Sequence, residues 1–206
     1  VKTDNRYDNL ELFLFSDFLF LQGDNIEPVV DYMCRLYRKV LQYSQNGRHP
    51  MLLRGGIARG GVLTQIRNEA PNVIKNFVVS TALTHAVQME SLVKGQRLLL
   101  SAKEREELDH FWNDGVNAIC YNQPSIKPSK LFVKYKYQDL LWGRDLSLNN
   151  IDAKLETKEL IAISIKLFRT NYNEPKSVQI HYAETLRICF LSYSSLIEPT
   201  EEDREF

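Results

Sequence analysis

A single carboxylate, Asp17, interrupts the apolar run LFLFSDFLFLQ at positions 12–22. An ionised carboxylate among such residues costs several kcal/mol in desolvation unless it is paired, solvated at a turn or bound to a cation. Two chemistries meet that condition. Ser16-Asp17 forms the solvated tip of a hairpin, or Asp17 is a hard-cation ligand at that tip, where oxygen donors project and phosphates complete a Mg²⁺ shell. RGGIARGG, Arg54 to Gly61, is the second feature. Its four glycines call for positive φ or for very close approach by another chain, a helix or a ligand. The pattern is neither GxxxxGK[ST] nor GxGxxG, so a phosphate loop and a bulged strand packed on a helix or a dimer partner both stand. Arg54, drawn into the sheet after MLL, requires an acidic or planar hydrogen-bonding partner. The third feature is STALTHAVQMES, Ser80 to Ser91, where Ala82 and Ala86 flatten one helix face and Glu90 lies at its end. His85 has no second His or Cys at metal spacing, and His49, His110 and His181 have no better claim to chemistry.

The elements that must position these residues emerge from periodicity. Leu10 to Leu21 reads as a strand or tight hairpin turning at Ser16-Asp17. Val29, Met33, Leu36, Val40 and Tyr43 recur at helical spacing, which predicts a helix from Pro28 to about Ser44, ended by Asn46-Gly47. Met51–Leu53 leads as a short strand into the glycine bend, and Val62–Ile66 is a second strand piece. RNEAPNV, 67–73, reads as a loop, Phe77–Val79 as a brief strand, Thr81–Leu92 as a helix closed by Gly95, and Arg97–Leu100 as a buried strand. A charged helix is expected over Ala102–Phe111, then strands in NAICYN and KLFVKYKY. Helices at about Ile151–Arg169 and Lys176–Leu196 and a frayed acidic tail complete the chain. The expected class is α+β around one sheet, with a core over 1–111 and a C-terminal α/β extension over 112–206 packed on it.

Composition bounds the function. The 206 residues can bury a substantial core, and 26 basic against 26 acidic side chains give no net charge to steer the chain to nucleic acid or an anionic membrane. Cys34, Cys120 and Cys189 stand far apart in apolar surroundings, as reduced thiols do, and a cytoplasmic compartment is the default expectation. No stretch approaches the ~18 apolar residues of a membrane span, and the start, VKTDNRYDN, is polar. The chain opens on Val1 rather than Met, and further residues are expected upstream.

In combination the segments resemble the catalytic domain of class III nucleotidyl cyclases, over about Leu10 to Ser101. There a hairpin bears a metal-binding Asp, a strand reads R-x-G-I-x-x-G, and a later helix ends in Leu-Glu before R-[IL]-x-[LV]-S. Here these are Asp17, Arg54 to Gly60, Met89-Glu90 and Arg97 to Ser101. F-S-D, R-G-G-I and A-L-x-x-A-x-x-[LM]-E are similar in particular to the bacterial pyrimidine nucleotide cyclases of Pycsar antiphage systems. The resemblance implies a ferredoxin-like sheet and a head-to-tail homodimer with two composite sites, each taking a nucleoside triphosphate and two Mg²⁺ or Mn²⁺. Asp17 is then a catalytic metal ligand, and its partner aspartate is expected on a strand upstream of this chain. Arg54 is the other catalytic candidate, suited to reading a pyrimidine carbonyl. Phe13 and Phe77 fall near the base-selecting positions. Thr84 and Gln88 stand where purine cyclases carry Asn and Arg, which argues against a purine substrate and leaves Arg54, Arg59, Lys94 and Arg97 as sources of positive charge. The resemblance implies UTP as the substrate, with CTP as the alternative, and a cyclic product that acts on a separate effector. Two other readings stay open: an inactive cyclase-homology domain that dimerises or binds nucleotide as a regulator, and an unrelated α+β interaction domain.

Overall fold

The computed structural model describes residues 7–14, 18–45, 50–70, 73–101, 104, 120–122, 137–145 and 147–197. Within them the chain is mixed α+β. Phe and Leu alternation gives an antiparallel hairpin, β1 (Glu11–Leu14) with β2 (Leu19–Gln22), in the register Phe13↔Phe20 and Leu14↔Leu19. Helix α1 runs over Ile26–Ser44 and buries Ile26, Val30, Cys34, Tyr37 and Leu41 on one stripe. It starts two residues before Pro28, which sits in the first turn where its missing N–H leaves no intrahelical bond unmade.

Met51–Leu53 is not a strand. Leu52 and Leu53 instead pack against the main core, and the strand begins at the glycines as β3 (Gly55–Ile57). The described residues of RNEAPNV are not a loop either: 67–70 end one strand and Val73 opens the next. β4 (Val62–Ala70) and β5 (Val73–Ser80) make a long antiparallel arm with a register shift between Asn68 and Ala70. The two strands are rich in the β-branched residues that favour extended backbone, Ile66, Val73, Ile74, Val78 and Val79 among them. Helix α2 comes directly after it over Thr81–Ser91, its N-cap Ser80 accepting from the Leu83 amide at 3.0 Å.

The remaining strands are β6 (Leu98–Ser101), β7 (Cys120–Asn122) and β8 (Tyr137–Leu140). With β3 they form a four-stranded sheet in the order β3-β6-β8-β7, parallel between β3 and β6 and antiparallel beyond. The expected single sheet is therefore three among the described residues: this one and the two hairpins. Alternation along β6 divides the core. Leu98 and Leu100 join Tyr37, Leu41, Leu140 and Trp142, while Leu99 joins Met89, Val93 and Tyr137 beneath α2. Helices α3 (Asn150–Thr170) and α4 (Lys176–Ser194) supply Leu160, Ile163, Ile188 and Cys189 to the larger cluster. Residues from before 111 and after 137 thus share one sheet and one core. The expected domain boundary at 111 and the helix over 102–111 fall, save Glu104, outside the described residues, as does KLFVKYKY apart from Tyr137.

Arg38, almost fully buried on α1, ties down the segment after β8. It donates to the carbonyls of Trp142 (3.0 Å) and Arg144 (3.1 Å) and to the Asp145 carboxylate (2.7 Å). Burial alone would raise the Asp145 carboxyl, but hydrogen bonds from Ser147 and the charges of Arg38 and Arg35 outweigh it and hold the group below the ordinary aspartate range.

The packing is open to test at two places. A Cβ on Gly56 would lie 2.6 Å from Met89 Cβ and 2.9 Å from the Ala86 carbonyl, whereas one on Gly61 meets nothing within 4 Å. Gly56→Ala should therefore cost ~1–3 kcal/mol, and Gly61→Ala should stay within ~0.5 kcal/mol, read from urea midpoints. For Asp145, the folded carboxyl ionises at lower pH than the unfolded one, so its stabilisation is present above the usual aspartate value and is lost as pH falls through the folded value. Asp145→Asn should cost ~1–3 kcal/mol at pH 7 and show a smaller loss of melting temperature between pH 5 and 3 than the parent protein.

Candidate functional site

The two arginines of the RGGI and RLLLS segments come side by side. β3 and β6 are parallel with Gly55 opposite Leu98, so Arg54 and Arg97 precede the same end of the pair, and the Gly55 amide donates to the Arg97 carbonyl at 2.9 Å. On the other side of β3, Gly56 lets α2 settle onto the strand at a distance that no side chain would permit. Gly60 serves the same purpose at the helix start, where a Cβ would meet Thr81 Oγ1 at 2.3 Å and the Ala82 amide at 2.7 Å. Of the two readings of the glycine strand, the packed helix is the one realised at Gly56 and Gly60.

Each arginine has found acid. Arg54 pairs with Glu90 at the end of α2, with both side chains about a third exposed. Arg97 is buried and forks onto Asp139 of β8, Nε to Oδ1 at 2.9 Å and Nη2 to Oδ2 at 3.1 Å, while Nη1 reaches Glu184 of α4 at 3.1 Å. Arg187 bonds the same two carboxylates, Glu184 at 3.0 Å and Asp139 at 3.3 Å. Asp139 has no exposed surface. Burial pushes its carboxyl upward, and Arg97 and then Arg187 oppose the push. The planar guanidinium satisfies both oxygens at once, which a lysine could not do. Two cations and two anions balance, so this cluster binds β6, β8 and α4 together rather than presenting free charge.

The other expected site residues are dispersed. Phe13 stacks on Phe20 across the hairpin, ring centroids 5.6 Å apart. Thr84 is exposed on the first turns of α2, its hydroxyl donating to the Ser80 carbonyl at 3.0 Å. Gln88 lies one turn further, half-buried, and its backbone carbonyl accepts from Ser91. Phe77 stands opposite Gln65 in the β4–β5 arm. Asp17, between β1 and β2 in sequence, lies outside the described residues. Among the described residues no group of three or more His, Cys, Asp or Glu is arranged to hold a metal ion. Those residues alone do not make the two-metal site that the resemblance implies.

Comparison with protein-family models found no match, and neither did comparison with curated proteins or with solved structures.

The acidic partner of Arg54 is expected from the sequence, but the buried tetrad is not. In YQDLLW, Asp139 reads as the polar member of an alternating strand, and Arg97, Glu184 and Arg187 lie 42 or more residues away. His181 has no signal in the sequence either, yet its ring accepts from the Gly95 amide at 3.1 Å. No described helix is long and apolar enough to cross a membrane.

The two arginines should respond differently to truncation. Arg97→Ala strands a buried Asp139 and should cost ~3–5 kcal/mol. Arg54→Ala removes a pair about a third exposed and should cost ~1 kcal/mol or less. Chemical denaturation of both variants at pH 7 separates the cases.

Proposed function

We propose that the chain is a pyrimidine nucleotide cyclase. It converts UTP, or alternatively CTP, to the 3′,5′-cyclic monophosphate and pyrophosphate, with Mg²⁺ or Mn²⁺, as a cytoplasmic signal in antiphage defence that acts on a separate effector. The ribose 3′-oxygen attacks the α-phosphorus, the bond to the bridging oxygen breaks, and pyrophosphate departs with the electron pair. The class III cyclase fold and a homodimer with composite sites belong to this reading.

The observation that carries it is the joint packing of the motif segments. R-G-G-I and R-L-L-L-S are neighbouring strands, and A-L-x-x-A-x-x-M-E is the helix laid on the first of them at Gly56. Three short motifs that could occur separately by chance are one packed unit. The strands that flank F-S-D, β1 and β2, pair in a single continuous register up to Leu14 and Leu19.

A specific observation also favours the second reading, a catalytically inactive cyclase-homology domain that regulates by dimerising or binding nucleotide. Arg54 and Arg97 are both engaged by carboxylates, and Thr84 and Gln88 supply no cation where purine cyclases have one. Incubating the full-length protein separately with the four ribonucleoside triphosphates and Mn²⁺, with mass-spectrometric product detection, distinguishes the two. Cyclic UMP or cyclic CMP is expected, reduced ~100-fold or more by Asp17→Ala. No cyclic product from any triphosphate, or equal product from Asp17→Ala, overturns the cyclase reading. Retained nucleotide binding without turnover would instead support the regulator.

A further inference from the structure

The turn between α2 and β6 is pressed against the first half of α4. Gly95 takes φ +76°, and a Cβ there would lie 2.4 Å from the His181 carbonyl oxygen, 2.9 Å from Glu184 Cβ and 3.0 Å from the Thr185 amide. Successive amides of the turn then meet side chains one helical turn apart. The Gly95 N–H donates to His181 Nδ1 at 3.1 Å, and the Gln96 N–H donates to Thr185 Oγ1 at 2.8 Å. The threonine acceptor does not titrate in water, and the histidine acceptor does.

We propose that His181 is a proton-sensitive latch that fastens the α2–β6 turn to α4 while its ring is neutral and releases the turn when it is protonated. The geometry requires the Nε2-protonated tautomer, because Nδ1 must keep its lone pair for Gly95. Protonation places N–H on both ring nitrogens and turns Nδ1–H toward the Gly95 N–H. Gly95 is buried, so its donor has no water to turn to. The charged groups around the ring come from three elements: Lys94 in the turn, Arg54 ahead of β3, and Glu184 on α4 beside Gly95. Glu184 is committed to Arg97 and Arg187 and does not serve the imidazolium.

Burial first, then Lys94 and Arg54, hold the ring below the usual histidine range. The unfolded ring takes its proton at ~6.5, the folded ring only at lower pH. The latch is therefore closed at neutral pH, and its stabilisation falls as pH drops from ~6.5 through the folded value. Two residues beyond Gly95 stands Arg97, so opening loosens the segment that leads into the buried tetrad.

Amide hydrogen exchange of the full-length protein at pH 7.5 and 5.0, corrected for intrinsic rate, tests the latch. The Gly95 protection factor should fall ~10-fold or more on acidification, while that of Ala153, within α3 and bonded to Asn149, holds. In His181→Asn the amide oxygen replaces Nδ1 as an acceptor without titrating, and Gly95 protection should stay level with pH. Unchanged protection in the parent protein, or an equal fall in His181→Asn, overturns the proposal. If His181→Asn does not fold, the ¹⁵N shifts of the parent ring decide. The Nε2–H tautomer at pH 7.5 supports the latch and the Nδ1–H tautomer overturns it.

Discussion

Much of this molecule hangs on two consecutive residues, Gln96 and Arg97. The Gln96 amide reaches Thr185 of α4, its side-chain nitrogen reaches the Tyr37 carbonyl of α1, and its carbonyl accepts from the Trp142 indole at 2.9 Å. The Arg97 carbonyl accepts from the Gly55 amide and from the Tyr37 hydroxyl, and its guanidinium engages β8 and α4. Burial leaves these groups no water as an alternative, so each bond is obligatory in the folded state. Four separate pieces of chain are brought to one point by the polar atoms of a dipeptide. The apolar side chains around it, Leu98, Leu140 and Trp142 among them, keep that point dry.

Away from this centre the organisation changes. The β1–β2 hairpin carries Leu12 and Leu14 outward, and β5 runs directly into α2. Two-stranded ribbons have little core of their own. Arg97, by contrast, is buried and held by β8 and α4, while Arg54 keeps a partly exposed pair with Glu90.

The sequence is informative where periodicity is local. Helices α1 to α4 are each legible from three- and four-residue spacing, and the first hairpin from Phe and Leu alternation about Ser16-Asp17. The glycines of RGGIARGG announce a close approach without saying what approaches, because Ala82, Ala86 and Met89 are an ordinary helix face until the strand is set beneath them. The β4–β5 arm is obscured by Asn68, Glu69 and Pro71, which read as a loop although the flanking β-branched residues pair across it. Least legible is the buried charge. Arg38 interrupts the apolar stripe of α1 as any solvated arginine would, and Asp139 looks like a surface position. Their partners become visible only when residues 42 to 107 positions away are brought into contact.

That separation bears on how the chain folds as it is synthesised. A ribosome that has released residues as far as β6 has exposed Gln96 and Arg97, but not Asp139, Trp142, Glu184 or Thr185, which complete their bonding. The parallel β3–β6 pair must wait, with a guanidinium and several backbone groups unsatisfied, until α4 has emerged. Non-local closure of this kind slows folding and lengthens the exposure of unpaired strand edges. The bonding of Gln96-Arg97 is thus completed only by residues made after it, as far along as Thr185.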